Sequence, residues 1–205
     1  MQGFKLKKTL LVLATFIFIV TMISLFIFYG PTFLSYHDKP VKSDAIILFW
    51  GDDEREPEAL RLLNEGKARY LIIPALGEIW LHKLDGSRKL VSPNIKNGDL
   101  TFKLHKDICY KRHYEKTHIE VLEGKRIMAD LGLHSVMLFS SPYHMRRIHL
   151  IADREFYDGE YTICCVPTTS ERSFTAHDWF HKKSRDVIIS EYVKIGWFLL
   201  YAIFS

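Results

Sequence analysis

The sequence predicts an α/β fold carried behind one long apolar N-terminal helix, and three observations lead there. Residues 9–36 hold no charged side chain, whereas 38–185 mix charged and apolar residues as a globular domain does. Four short apolar runs, at 44–50, 70–73, 135–139 and 161–166, have the length of buried strands. Stretches with helical periodicity lie between them, the alternation expected of a parallel sheet covered by helices. With 205 residues the chain suits one compact domain rather than two, and 48% hydrophobic against 25% charged residues excludes a disordered chain. The formal charge is +4, from 28 Lys+Arg and 24 Asp+Glu.

Each element follows from its own residues. Residues 10–29 read LLVLATFIFIVTMISLFIFY. At about 1.5 Å per residue they span roughly 30 Å, the thickness of a bilayer's hydrocarbon core. Lys5, Lys7 and Lys8 precede them, and basic residues stay on the cytoplasmic side. Residues 1–8 are therefore read as a cytoplasmic basic tail, 9–30 as a transmembrane helix, 31–43 as a tether and 44–205 as an extracytoplasmic domain. The apolar run exceeds the roughly 7–15 residues of a signal peptide, and Gly30-Pro31-Thr32 is a poor cleavage site. Both points favour an uncleaved anchor.

The run at 44–50, stopped by Gly51, predicts a strand buried on both faces. Ala59, Leu62 and Leu63 recur on one face of the helix that follows, and Gly66 ends it. A second strand at 70–73 is halted by Pro74. Residues 117–131 predict a helix, 135–139 its strand, 142–156 the next helix and 161–166 a fourth strand. Together these make a Rossmann-like, doubly wound and mostly parallel sheet preceded by one transmembrane helix. Between 75 and 116 the periodicity fails and basic residues outnumber acidic ones. That stretch reads as a basic insertion, either a solvated surface or a contact for anionic headgroups or phosphorylated substrates. No nucleic-acid-binding signature accompanies the charge, so nucleic acid is discounted as a partner. Residues 187–204 are helix-compatible, and Trp197, Phe198 and Tyr201 suit packing on the sheet or at a membrane interface. Cys109, Cys164 and Cys165 show no metal-binding spacing and read as structural thiols. No metal and no cofactor is implied.

In an open parallel sheet, ligands bind beyond the carboxyl ends of the strands. Three loops qualify. Gly51 with Asp52 follows the first strand and leads to Arg55; the acids there serve the helix N-terminus or a ligand. Thr117 and Glu120 have the spacing of a capping box, and Glu120 is also placed to act as a base. The third loop, Ser140-Ser141-Pro142-Tyr143-His144-Met145-Arg146-Arg147, is the sharpest. Ser141 is a natural N-cap and Pro142 a favoured first helical residue. His144 and Arg147 share one helix face, and Arg146 and His149 form a second such pair. One turn thus offers an imidazole and a guanidinium to an anion. A capped helix with an exposed basic turn accounts for the same residues.

These motifs resemble the YdcF-like family (the SanA, ElyC and YdcF group), in its membrane-anchored form. The late signature is a strand followed by Ser-x-x-His-x-x-Arg, met by Ser141, His144 and Arg147. The early signature is met by Asp44, Ala45, Gly51, Arg55, Ala59, Leu62 and Gly66, and the middle motif is approximated by Thr117 and Glu120. Gly51 alone stands where the family has a glycine-rich loop, and Pro74-Ala75-Leu76-Gly77 where it usually has Ser-Gly. The resemblance implies a Rossmann-like domain, a bacterial inner-membrane location and a link to cell-envelope biogenesis. The expected function is binding or processing of a phosphate-bearing or lipid-linked envelope precursor, or a nucleotide. In that reading His144, assisted by Glu120 or Asp52, transfers a proton. The anion is held by Arg147 with Arg146, alongside Gly51, Arg55, Ser140, Ser141, Tyr143 and Thr117. A non-catalytic scaffold of envelope assembly is the competing expectation.

Overall fold

In the computed structural model, residues 2–51, 55–83, 85–91, 110–157 and 159–204 are described, with side chains from Lys7 onward. The chain is α/β, with a six-stranded mixed sheet, mostly parallel, and an apolar N-terminal helix. That helix, α1 (Gln2–Phe33), is long and apolar enough to cross a membrane, and its side chains stay exposed until Gly30. It runs through Pro31 rather than ending before it.

The strands are β1 (Ala45–Leu48), β2 (Tyr70–Ile73), β3 (Glu78–His82), β4 (Arg88–Leu90), β5 (Ser135–Ser140) and β6 (Thr162–Pro167), in the order β4-β3-β2-β1-β5-β6. β1 pairs in parallel with β2 and β5, and β5 with β6. These are the four strands expected. β3 and β4 are antiparallel additions at the β2 edge, within the stretch where the sequence pattern failed. Gly77 and Gly86, which interrupt that pattern, adopt φ of 66° and 79°. They reverse the chain at turns that side chains with a Cβ disfavour. The rest of the 75–116 stretch is largely outside the described residues.

Helices cover both faces because strand residues alternate in direction. Ile46, Leu48, Leu71, Ile73, Met137, Phe139 and Cys164 bury against Ala59, Leu62 and Leu63 of α2 (Arg55–Asn64). Ile47, Phe49, Ile72, Val136, Leu138 and Cys165 face the other way. They meet Val121 and Met128 of α3 (Lys116–Asp130) and Ile148 and Ile151 of α4 (Met145–Glu155). The adjacent thiols of β6 thus lie on opposite faces, both buried and free. Gly124 lets α3 approach β1: a Cβ there would sit 2.6 Å from Ile47 Cδ1.

The last helix, α5 (Lys182–Phe204), begins earlier than the sequence indicated and packs on the domain through Ile188, Glu191, Ile195, Phe198 and Tyr201. Buried His118 ties three helices together: Nδ1 lies 2.7 Å from the Tyr201 hydroxyl and Nε2 3.0 Å from Glu155 Oε1. The tether is docked along its length. Leu34 is buried against Ile188 and Ile195, Tyr36 stacks on His149 at 3.8 Å, and the Asp38 carboxylate accepts from Cys165 N at 2.8 Å.

Candidate functional site

β1 and β5 end side by side, and beyond them open two adjoining clefts of about 490 and 340 Å³. They share Trp50, Arg55, His144 and Lys194. The first also takes Gly51 and Tyr143, the second Thr117, Glu120, Ser140 and Arg147. Residues expected in three separate loops therefore meet at one place. A larger cleft of about 990 Å³ opens at the other end of the strands, lined by Asp44, Arg69 and His82 among others. Asp44 there is consumed by the backbone N–H groups of His134 and Ser135 and the Ser135 hydroxyl. That carboxylate is structural.

The centre of the site is an ion-paired knot. Arg147 is 4% exposed. Its Nε and Nη2 donate to the two Glu191 oxygens at 2.7 and 3.1 Å, and Nη1 lies 3.1 Å from Glu115 Oε2. Glu191 also takes Lys194 Nζ at 2.9 Å and stands 3.1 Å from His144 Nδ1. Burial alone would raise the Glu191 pKa, but His144 and Arg147 hold it well below the usual carboxylate range. Arg147 is shifted upward: burial works against its charge, and the bonds to Glu191 and Glu115 outweigh it. Burial lowers the His144 pKa, opposed by Glu191 and reinforced by Arg147 and Arg55. An ionised carboxylate can only accept, so Glu191 keeps the proton on Nδ1 and leaves Nε2 as the basic nitrogen. The 3.4 Å approach of Arg147 Nη2 to Nδ1 is then packing, not a hydrogen bond.

Around the knot sits a second layer. Arg55 is buried, donating from Nε to Ser141 Oγ at 2.7 Å and from Nη1 to Phe49 O at 3.2 Å. Ser141 in turn donates its hydroxyl to Glu171 Oε1 at 2.7 Å. Gly51 is needed beside it, since a Cβ would lie 2.3 Å from Arg55 Nη1. The loop that carries Glu171 is pinned by Glu58 of α2, which accepts from Thr168, Thr169 and Ser170. Ser140, fully buried, lines the second cleft with a hydroxyl that has no hydrogen-bond partner. Burial raises the Glu120 carboxyl to about 7 against the pull of Lys116, Arg147 and Arg55.

Several expectations are corrected. Arg146 does not face the clefts. Its Nε donates to Phe33 O at 2.9 Å, and its guanidinium lies over the rings of Phe33 and Tyr36. A cation suits that place, the carbonyl end of α1. Thr117 is not a cap: α3 starts at Lys116 with Glu115 in the N-cap position, so the Thr117–Glu120 capping box does not form. Ser141 stands at the N-cap of a 3₁₀ turn (Pro142–His144), but its side chain makes no cap bond because Arg55 and Glu171 claim it. Asp52 lies outside the described residues. The imidazole's carboxylate partner is Glu191 instead. The signal for Glu191 was present: it is the single acidic residue in the apolar stretch 187–204. Lys194, the single basic residue of the same stretch, carried that signal too, and Glu115 and Glu171 did not. Among the described residues, no cluster of three or more His, Cys, Asp or Glu side chains is arranged to hold a metal ion.

Compared with known proteins, the chain matches no family model, no curated protein and no solved structure.

Proposed function

We propose that this is a membrane-anchored, Rossmann-like protein of the YdcF-like type, acting in bacterial cell-envelope biogenesis. It binds a phosphate-bearing or lipid-linked envelope precursor, or a nucleotide, at the clefts beyond β1 and β5 and processes it by hydrolysis or transfer. α1 serves as the inner-membrane anchor with its basic end in the cytoplasm. The parallel order β2-β1-β5-β6 supports the fold reading, because the connection from β1 runs to β2 on one side and that from β5 to β6 on the other, and ligands favour such a switch point.

The observation that carries the chemistry is the Glu191–His144 pair beside a cationic cleft. Glu191 fixes the imidazole tautomer, as an orienting carboxylate does for a general base. Nε2 takes the proton of an attacking water or hydroxyl as its oxygen bonds to phosphorus, and returns it to the leaving oxygen as that bond breaks. Lys116 and Lys194, with the buried charges of Arg55 and Arg147 behind them, stabilise the phosphoryl oxygens. Glu120, whose carboxyl burial raises to about 7, repels them less than an ordinary glutamate does.

The experiment uses the full chain in detergent, melted with nucleotides, sugar nucleotides or polyprenyl-phosphate analogues. A ligand at 100 times its Kd adds about 2.7 kcal/mol, several degrees for a domain of this size. The His144→Gln variant should keep both melting and ligand shift while losing turnover by about a hundredfold or more. A non-catalytic scaffold is the second reading, favoured by one observation: every guanidinium nitrogen of Arg147 is already engaged by a carboxylate. Cooperative melting with no shift by any of these compounds decides for the scaffold.

A further inference from the structure

The exit of α1 from its apolar run is bound to the domain through backbone carbonyls. Pro31 has no N–H, so Ile27 O, its helical partner four residues earlier, is left open. The indole of Trp179 donates to that oxygen at 2.9 Å. Tyr192 donates its hydroxyl to Gly30 O at 2.8 Å, and Phe26 packs on both rings, 5.6 Å from Trp179 and 4.9 Å from Tyr192. Ile27 belongs to the apolar run at 10–29, so the domain meets α1 inside that run and not beyond its end.

Trp179 belongs to a 3₁₀ turn (Ala176–Phe180) that is firmly held. Asp178, fully buried, accepts from Arg172 Nη1 and Nη2 at 2.8 and 2.6 Å and from Thr175 N at 2.8 Å. The next residue after Trp179 is Phe180, 80% exposed. Lys182, Lys183 and Arg185 follow, all exposed, and no acidic residue occurs between 179 and 185. An exposed aromatic ring beside a tryptophan and three cations, at the height where an apolar helix ends, suits the boundary of a bilayer. Aromatic rings favour the headgroup level, and Lys and Arg favour anionic lipid phosphates.

We infer that residues 177–185 are a second membrane contact, with Phe180 set into the bilayer boundary and Lys182, Lys183 and Arg185 on anionic phospholipid headgroups. The inference rests on α1 being a membrane anchor. Lys183 also lines the first cleft with Tyr143, His144 and Lys194, so the contact holds the mouth of the site against the headgroup layer.

The test reconstitutes the full chain in phosphatidylcholine vesicles with or without phosphatidylglycerol, carrying photoreactive benzoylphenylalanine in place of Phe18, Phe180 or Tyr157. Tyr157 is 87% exposed at the far end of α4 and serves as the solvent control. Lipid adducts are expected at 18 and 180 and not at 157, and phosphatidylglycerol should raise the adduct at 180 several-fold. Lys182→Glu combined with Arg185→Glu should abolish that rise without moving the melting temperature. Adducts at 18 without adducts at 180 overturn the inference and leave the anchor standing. No adduct at 18 overturns the anchor reading itself. An adduct at 180 indifferent to both phosphatidylglycerol and charge reversal overturns the headgroup assignment.

Discussion

Where the Pro142–His144 turn runs into α4, residues 144–149 present two faces that carry nearly the same side chains and do different work. On one face His144 and Arg147 meet Glu191 and Glu115 at the carboxyl end of the sheet. On the other, Arg146 and His149 meet carbonyl oxygen and aromatic rings from the end of α1 and the chain after it. Adjacent arginines are thus separated by their surroundings, not their chemistry. Arg147 is buried among carboxylates and sets the electrostatics of the clefts. Arg146 is a cap on the carbonyl end of α1. A single short helix therefore stands between the site and the end of α1, with Arg146 and Leu34 as the contacts on the α1 side.

The sharpest way to break the comparison is to remove each guanidinium in turn. Arg147→Met strands the charges of buried Glu191 and partly buried Glu115, and loss of one partner from a buried pair costs about 3–5 kcal/mol. At about 2–4 °C per kcal/mol, the melting temperature should fall by roughly 6–20 °C. Arg146→Ala loses one hydrogen bond and two ring contacts at a partly exposed place, about 1–2 kcal/mol. Thermal melts of both variants in the same detergent read the contrast directly. Equal losses would mean that the two faces are one cooperative structure and that the division drawn between them is wrong.

Acid–base behaviour should mark the site as well. The Glu120 carboxyl is raised from 4.5 to about 7 by burial. In that window the folded chain holds a proton that the unfolded chain releases, so this group's contribution to stability falls as pH rises from about 4.5 to about 7. The depressed His144 works in the opposite sense, because the unfolded imidazole binds its proton first as the pH drops through 6.5. The Glu120 effect is therefore read as a difference. Denaturation of wild type and Glu120→Gln across pH 5–8 should show the variant gaining stability relative to wild type toward high pH. Parallel curves would place Glu120 in solvent.

What was legible in the sequence follows from where each signal resides. β1, β2, β5 and β6 are buried on both faces, so their residues form unbroken apolar runs. β3, half-buried between β2 and β4, and the exposed edge strand β4 carry Trp80, His82, Arg88 and Lys89, which mask any alternation. The spacing of His144, Arg146, Arg147 and His149 gave two helix faces correctly, since that is local geometry. It held no information on what each face would meet. Glu191 is 44 residues from Arg147, and Phe33 is 113 residues from Arg146. Such pairings are created by the fold, so Arg146 was grouped with the site and Glu191 was left out of it.

The smallest expected effect is also the most specific. Trp179→Phe keeps a ring against Phe26 and removes only the donor to Ile27 O, a loss of about 1 kcal/mol. Pro31→Ala returns an N–H to the helix four residues beyond Ile27, giving that carbonyl a partner within α1. If the indole serves the oxygen that Pro31 leaves open, Trp179→Phe should cost less in the Pro31→Ala background. The two changes should then couple by about 0.5–1 kcal/mol in a double-mutant cycle measured by denaturation. Additive losses would mean that Trp179 holds α1 by ring packing alone. The carbonyl would then be served in some other way, and the depth at which the domain grips the helix would have to be argued from Tyr192 and Gly30. Coupling of the expected size ties the position of the 177–185 turn to one atom of the apolar helix, Ile27 O.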